Sequence, residues 1–112
     1  MTFASSASQI YERLGIPPTQ LVEFSQRWGI AELALFGSVL RDDFREDSDV
    51  DMLITFAPNA RKGLLTLAKM QQELEAILNR KIDLVSKKSI EQSHNAIRRQ
   101  VILASAQVIY GA

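Results

Sequence analysis

The segment Gly37-Ser38-Val39-Leu40-Arg41-Asp42-Asp43-Phe44-Arg45-Glu46-Asp47-Ser48-Asp49-Val50-Asp51-Met52-Leu53 constrains this chain more than any other. One apolar run ends on a Gly-Ser turn, ten residues follow Ser38, and an Asp-x-Asp pair then heads a second apolar run. Strand side chains alternate faces with a period of two, so Asp49 and Asp51 share one side while Val50 and Met52 take the other. Two carboxylates thus converge on one point. The intervening loop is long enough to fold the Gly-Ser backbone back over them. A hard cation such as Mg²⁺ takes one or two protein carboxylates and draws its remaining oxygens from water and substrate phosphates. Gly37, lacking a Cβ, allows close approach of backbone to phosphate, and the hydroxyl and amide of Ser38 can both donate to phosphate oxygens. The pattern points to transfer at phosphorus, in which protein groups mainly position the reactants and metal ions offset developing charge.

The rest of the chain supplies elements that can hold such a site. Ser6 or Ser8 is placed to cap a short helix carrying Ile10 and Leu14, with Gly15 as its stop. After Pro17-Pro18, Leu21, Val22, Phe24 and Trp28 fit one helical face that Gly29 ends. Residues 31–36 read as a strand, 41–48 as a charged loop, and 49–56 as a second strand closed by Pro58-Asn59. From Gly63 to Asn79, Leu64, Leu67, Leu74, Ile77 and Leu78 recur at spacings of three and four, an amphipathic helix. Residues 81–86 alternate as a third strand, which puts Asp83 beside the Asp-x-Asp pair. Residues 89–105 read as one last helix with Ile90, Ile97, Val101 and Ala104 inward, followed by an apolar tail, Gln107 to Tyr110. The expected fold class is α/β (α+β), a short mixed sheet packed with helices.

At 112 residues the length fits one domain, 1–112, with residues 1–8 a frayed start and no second substrate domain. Thirteen basic and thirteen acidic residues cancel, which argues against broad capture of nucleic acid or of an anionic membrane. The distribution is uneven: residues 42–51 carry six acidic side chains and one basic, while 61–100 carry nine basic and four acidic. No cysteine is present, so thiolate ligands and a cysteine nucleophile are excluded, and the single histidine, His94, excludes a multi-histidine zinc centre. His94 reads as a surface or interface helix residue, and Trp28, Phe24 and Phe36 as core. No signal-like start or membrane-length apolar run is seen, which makes a cytoplasmic location the expectation. Lys87, Lys88, Arg98 and Arg99 fit a solvated helix face, with contact to a nucleotide or an acidic partner as the alternative. Arg41 could bind phosphate bidentately or pair with a loop carboxylate.

The Gly-Ser, ten-residue, Asp-x-Asp signature resembles that of the DNA polymerase β-like nucleotidyltransferase superfamily, and the small size resembles its minimal nucleotidyltransferase (MNT) branch. The resemblance runs from about residue 20 to 110 through Ala34-Leu35-Phe36-Gly37-Ser38, Asp49-Val50-Asp51-Met52-Leu53, Ile82-Asp83-Leu84-Val85 and the segment from Ile97 to Ala104. It implies that Gly37, Ser38 and Arg41 hold nucleotide phosphates, that Asp49 and Asp51 bind Mg²⁺, and that Asp83 completes a catalytic triad as metal ligand or base. It further implies ATP as donor and an antitoxin role of the HEPN/MNT toxin–antitoxin type: AMP is transferred to a tyrosine hydroxyl of a partner HEPN ribonuclease toxin. Two alternatives stand beside it, a non-catalytic antitoxin that masks its toxin, and an aminoglycoside-type small-molecule nucleotidyltransferase. Members of the branch usually follow the arginine matching Arg41 with glycine, whereas Asp42 and Asp43 stand here.

Overall fold

The computed structural model describes residues 10–42, 44–45, 47–60 and 63–111. The expected Ser6 or Ser8 cap and the frayed start lie outside them, as does Asp43. A helix, α1, covers residues 10–14 and stops at Gly15, whose φ of 73° is the left-handed conformation that glycine adopts without strain. Then come α2 (Pro18–Trp28), β1 (Ile30–Phe36), a 3₁₀ turn (Gly37–Leu40), β2 (Val50–Phe56), α3 (Leu64–Leu78), β3 (Ile82–Ser86), α4 (Lys87–Glu91), α5 (Ala96–Ser105) and β4 (Gln107–Gly111). The four strands form one sheet in the order β3-β2-β1-β4. β1 runs antiparallel to β2 and β4, and β2 runs parallel to β3. A parallel neighbour requires a crossover, and α3 supplies it.

Alternation along the strands divides the molecule into two apolar layers. Leu33 and Leu35 of β1, Val50, Met52 and Ile54 of β2, and Ile82 and Leu84 of β3 pack against α1, α2 and α3 through Ile10, Leu14, Leu21, Phe24, Met70, Leu74 and Leu78. The opposite face carries a smaller cluster, Ala34, Phe36, Leu53, Ile90 and Ile102, beneath α4 and α5. Asp51 and Asp83 occupy the pleat of this second face, because each is flanked in sequence by residues committed to the first.

The connections have identifiable causes. Pro18 opens α2 where no intrahelical N–H is needed, and Gly29 ends it with φ 70°. The edge strand β3 is shielded by α3: Glu75 Oε2 accepts from the Ile82 amide at 3.2 Å and Gln71 Oε1 from the Leu84 amide at 3.3 Å. Between α2 and α3, Arg27 Nη1 and Trp28 Nε1 both donate to Glu73 Oε1, at 2.8 and 3.0 Å. The Arg27 hydrogen bond holds the Glu73 carboxyl below its ordinary range.

Several expectations need correction. The single helix expected over 89–105 is broken at 92–95, where Ser86 caps α4 by accepting from the Ser89 amide and Asn95 caps α5 by accepting from the Arg98 amide. Such short polar side chains compete for backbone donors and start helices anew. The restart resets the helical phase, so Ile102 is buried while Ile97 and Val101, expected inward, are 77% and 60% exposed, and Ala104 is exposed as well. His94 lies exposed in the break itself rather than on a helix. The apolar tail is a strand, β4, paired with β1 and tied to α1 by the Tyr11 hydroxyl, which donates to the Ile109 carbonyl at 3.1 Å.

Candidate active site

The registers bring the predicted residues together. Phe36, the last residue of β1, pairs with Asp51, and Asp51 pairs in turn with Asp83 on β3. Asp49 precedes the first residue of β2 and is exposed, Asp51 is half-buried and Asp83 is exposed. Burial raises the Asp51 carboxyl above its ordinary value of 3.8, and the negative charges of Asp83 and Asp49 push it the same way. Arg41 and Arg98 act in the opposite sense. Three carboxylates and two guanidinium groups therefore share one electrostatic locus. Arg98, on the first turn of α5, is the member that sequence reading placed on a solvated face, with nucleotide or partner contact as the alternative. Its position follows from the helix break, which no periodicity announced.

Directly beyond Phe36 the chain turns over Asp51. Gly37 has φ 79°, and a Cβ built there would overlap Asp51 Oδ2. Glycine is thus required twice, for a left-handed backbone and for the carboxylate lying against it. The sequence assigns Gly37 to the close approach of a phosphate; the structure adds that the Asp51 carboxylate lies against it. Ser38 then donates through Oγ to the Asp49 carbonyl at 3.2 Å, linking the turn to the Asp-x-Asp segment. The 3₁₀ turn ends with the Arg41 amide donating to the Ser38 carbonyl at 2.9 Å.

The loop between turn and strand is held from outside the motif. Arg80, just after α3, donates to the carbonyls of Arg45 and Ser48, both at 3.2 Å, and its guanidinium sits 4.7 Å from the centre of the Phe44 ring. The Arg45 amide donates to Ser48 Oγ at 2.9 Å. Arg13 on α1 donates to the carbonyls of Val39 and Arg41 and lies 3.8 Å from Asp42. Neither arginine was singled out from the sequence, because main-chain carbonyls leave no sequence signature. A cavity of about 440 Å³ opens beside this turn, lined by Ile10, Arg13, Leu40, Asp42 and Ser105 among others, and includes none of the three carboxylates.

Among the described residues, no three Asp, Glu, His or Cys side chains form a cluster that could hold a cation unaided. The arrangement nevertheless fits a cation shared with a substrate, for which one or two carboxylates suffice. A desolvated Asp51 beside two like charges is the arrangement that a cation relieves.

The model of the nucleotidyltransferase domain family matches residues 19–107. The protein adenylyltransferase MntA of Thermococcus cleftensis is 36% identical over 81 residues, which are 71% of this chain and 80% of that protein. A crystal structure of a toxin–antitoxin with AMP-PNP superposes with a TM-score of 0.67 at 16% identity, covering 87% of this chain and 75% of that one. A structure of a tri-AMPylated Shewanella oneidensis HEPN toxin in complex with its MNT antitoxin gives a TM-score of 0.59 at 16% identity, covering 85% and 70%. At such identities the structures speak for the fold.

Proposed function

The chain belongs to the nucleotidyltransferase domain family, and from that premise we propose that it is an antitoxin adenylyltransferase, moving AMP from ATP to a tyrosine hydroxyl of a HEPN-type toxin. The observation that carries this reading is the register Phe36–Asp51–Asp83, which sets a Gly-Ser turn directly against a pair of facing carboxylates. The protein adenylyltransferase relative and the AMPylated HEPN toxin beside an MNT antitoxin support the donor, the partner and the modification.

In this reading Gly37 and Ser38 receive the triphosphate, with the turn backbone donating to its oxygens and the Ser38 hydroxyl turning from the Asp49 carbonyl to do the same. Arg41 adds a positive charge at the same end. Asp49 and Asp51 would hold Mg²⁺, which would supply positive charge to the attacking and leaving oxygens. Asp83, exposed on β3 opposite Asp51, takes the proton from the acceptor hydroxyl. The hydroxyl oxygen bonds to the α-phosphorus as the bond to the bridging oxygen breaks, and the electron pair leaves with pyrophosphate. Burial and the charges of Asp83 and Asp49 raise the proton affinity of Asp51, a cost that a bound cation would offset.

The test is the intact mass of a HEPN toxin encoded beside this chain after incubation with ATP and Mg²⁺. A gain of one or more AMP units with wild-type protein, lost in the Asp49→Asn/Asp51→Asn double variant, is expected. Blockade of the toxin by a folded protein without any gain in mass would favour masking instead. Asp42, an exposed carboxylate beside Arg41, is the feature that would point that way.

A further inference from the structure

Residues 10–14 precede the part of the chain that matches the family model, yet α1 reaches the nucleotide turn, with Ile10 beside Val39 and Leu40 and with Arg13 bonded to its backbone. Arg13 Nη1 donates to the Val39 carbonyl at 2.9 Å and also to the Arg41 carbonyl, while Nη2 stands 3.8 Å from Asp42 Oδ1. These carbonyls lie at the C-terminal end of the 3₁₀ turn, and that of Arg41 also accepts from the Phe44 amide at 3.4 Å. A planar guanidinium meets two carbonyls and a carboxylate at once, which a lysine ammonium cannot reproduce.

The same contacts bear on Asp42. A carboxylate next to Arg41 stands where the resemblance leads one to expect glycine, and it sets a negative charge close to the phosphate turn. Resting on the nucleotidyltransferase reading, we infer that Arg13 is a positioning residue for nucleotide binding. It fixes the backbone from which Arg41 projects and offsets the charge of Asp42, so that this chain tolerates an acid in its phosphate loop. Arg13 and Asp42 act as a pair, and the N-terminal helix belongs to the nucleotide site.

Calorimetric titration with a non-hydrolysable ATP analogue and Mg²⁺ tests this in wild type, Arg13→Gln, Asp42→Asn and the double variant. Glutamine keeps an amide donor for a carbonyl but removes the charge. Affinity should fall about threefold to tenfold in Arg13→Gln, as suits a partly exposed charge. Adding Asp42→Asn should recover most of that loss, a coupling of the kind a double-mutant cycle isolates. Arg13→Lys, which keeps the charge without the fork, should fall between. Without nucleotide, amide exchange at Arg41 should quicken in Arg13→Gln while exchange at Leu35 stays unchanged. Equal losses in the single and double variants, wild-type affinity in Arg13→Gln, or faster exchange across the whole sheet would each overturn the inference. A wild-type protein that binds no nucleotide would instead refute the functional reading and carry this one down with it.

Discussion

At the scale of single residues, the tightest requirement falls on Gly37. Any side chain there must adopt φ near 79° and displace the Asp51 carboxylate. Gly37→Ala should therefore cost about 1–3 kcal/mol of stability and lose nucleotide binding altogether, read by thermal unfolding and by titration with the ATP analogue. Asp51 makes the opposite kind of prediction. Its carboxyl binds a proton more tightly in the folded chain than in the unfolded one, chiefly through desolvation and then through Asp83 and Asp49. The associated stability is fully present below the ordinary value of 3.8 and is lost as pH rises through the raised value, so ionised Asp51 is a net cost at neutral pH. Asp51→Asn should abolish transfer yet raise stability at pH 7 without cations by less than about 1 kcal/mol after screening, seen as a higher melting temperature. That gain should vanish in acid. Mg²⁺ should then stabilise the wild type and leave the variant unmoved; equal shifts in both would count against a role of Asp51 in holding metal.

Among the elements, α3 separates what periodicity can and cannot show. Its spacing of leucines identified the helix, and Leu74 and Leu78 are buried in the main core as read. Leu64 fits the same pattern but, as the first residue of the helix, is 87% exposed. Leu74→Ala should cost about 2–5 kcal/mol, whereas Leu64→Ala should stay within about 0.5 kcal/mol, by chemical denaturation. The strands and their order around the motif were legible because period-two alternation and turn residues are local signals. The break at 92–95 was not, since Ser and Asn caps matter only once the alternative of one long helix loses to packing of Ile90 and Ile102 on the sheet. The strand character of β4 was hidden for a related reason: its partner, β1, lies some seventy residues away. Of the candidate site, the carboxylates and the turn could be read directly. Arg13, Arg80 and Arg98 could not, because two of them serve main-chain carbonyls and the third is placed by the helix break.

For the molecule as a whole, one sheet is shared by two cores, so neither core can melt while the other stays packed. Leu74→Ala in the larger core and Ile102→Ala in the smaller should each lower one and the same calorimetric transition. Two separable peaks would show that α4 and α5 fold apart from the rest. No helix among the described residues is long and apolar enough to cross a membrane. The parallel pairing of Asp51 with Asp83 has a wider meaning, because it makes the site depend on parity. Adding one residue between Val50 and Asp51, or between Ile82 and Asp83, would turn a carboxylate into the larger core and Met52 or Leu84 out of it toward the second face. Adding two would restore the side but move the carboxylate about 6.6 Å along its strand. Length variants of this chain are thus confined to its connecting loops, and the strands that carry the aspartates can change in composition but not in count.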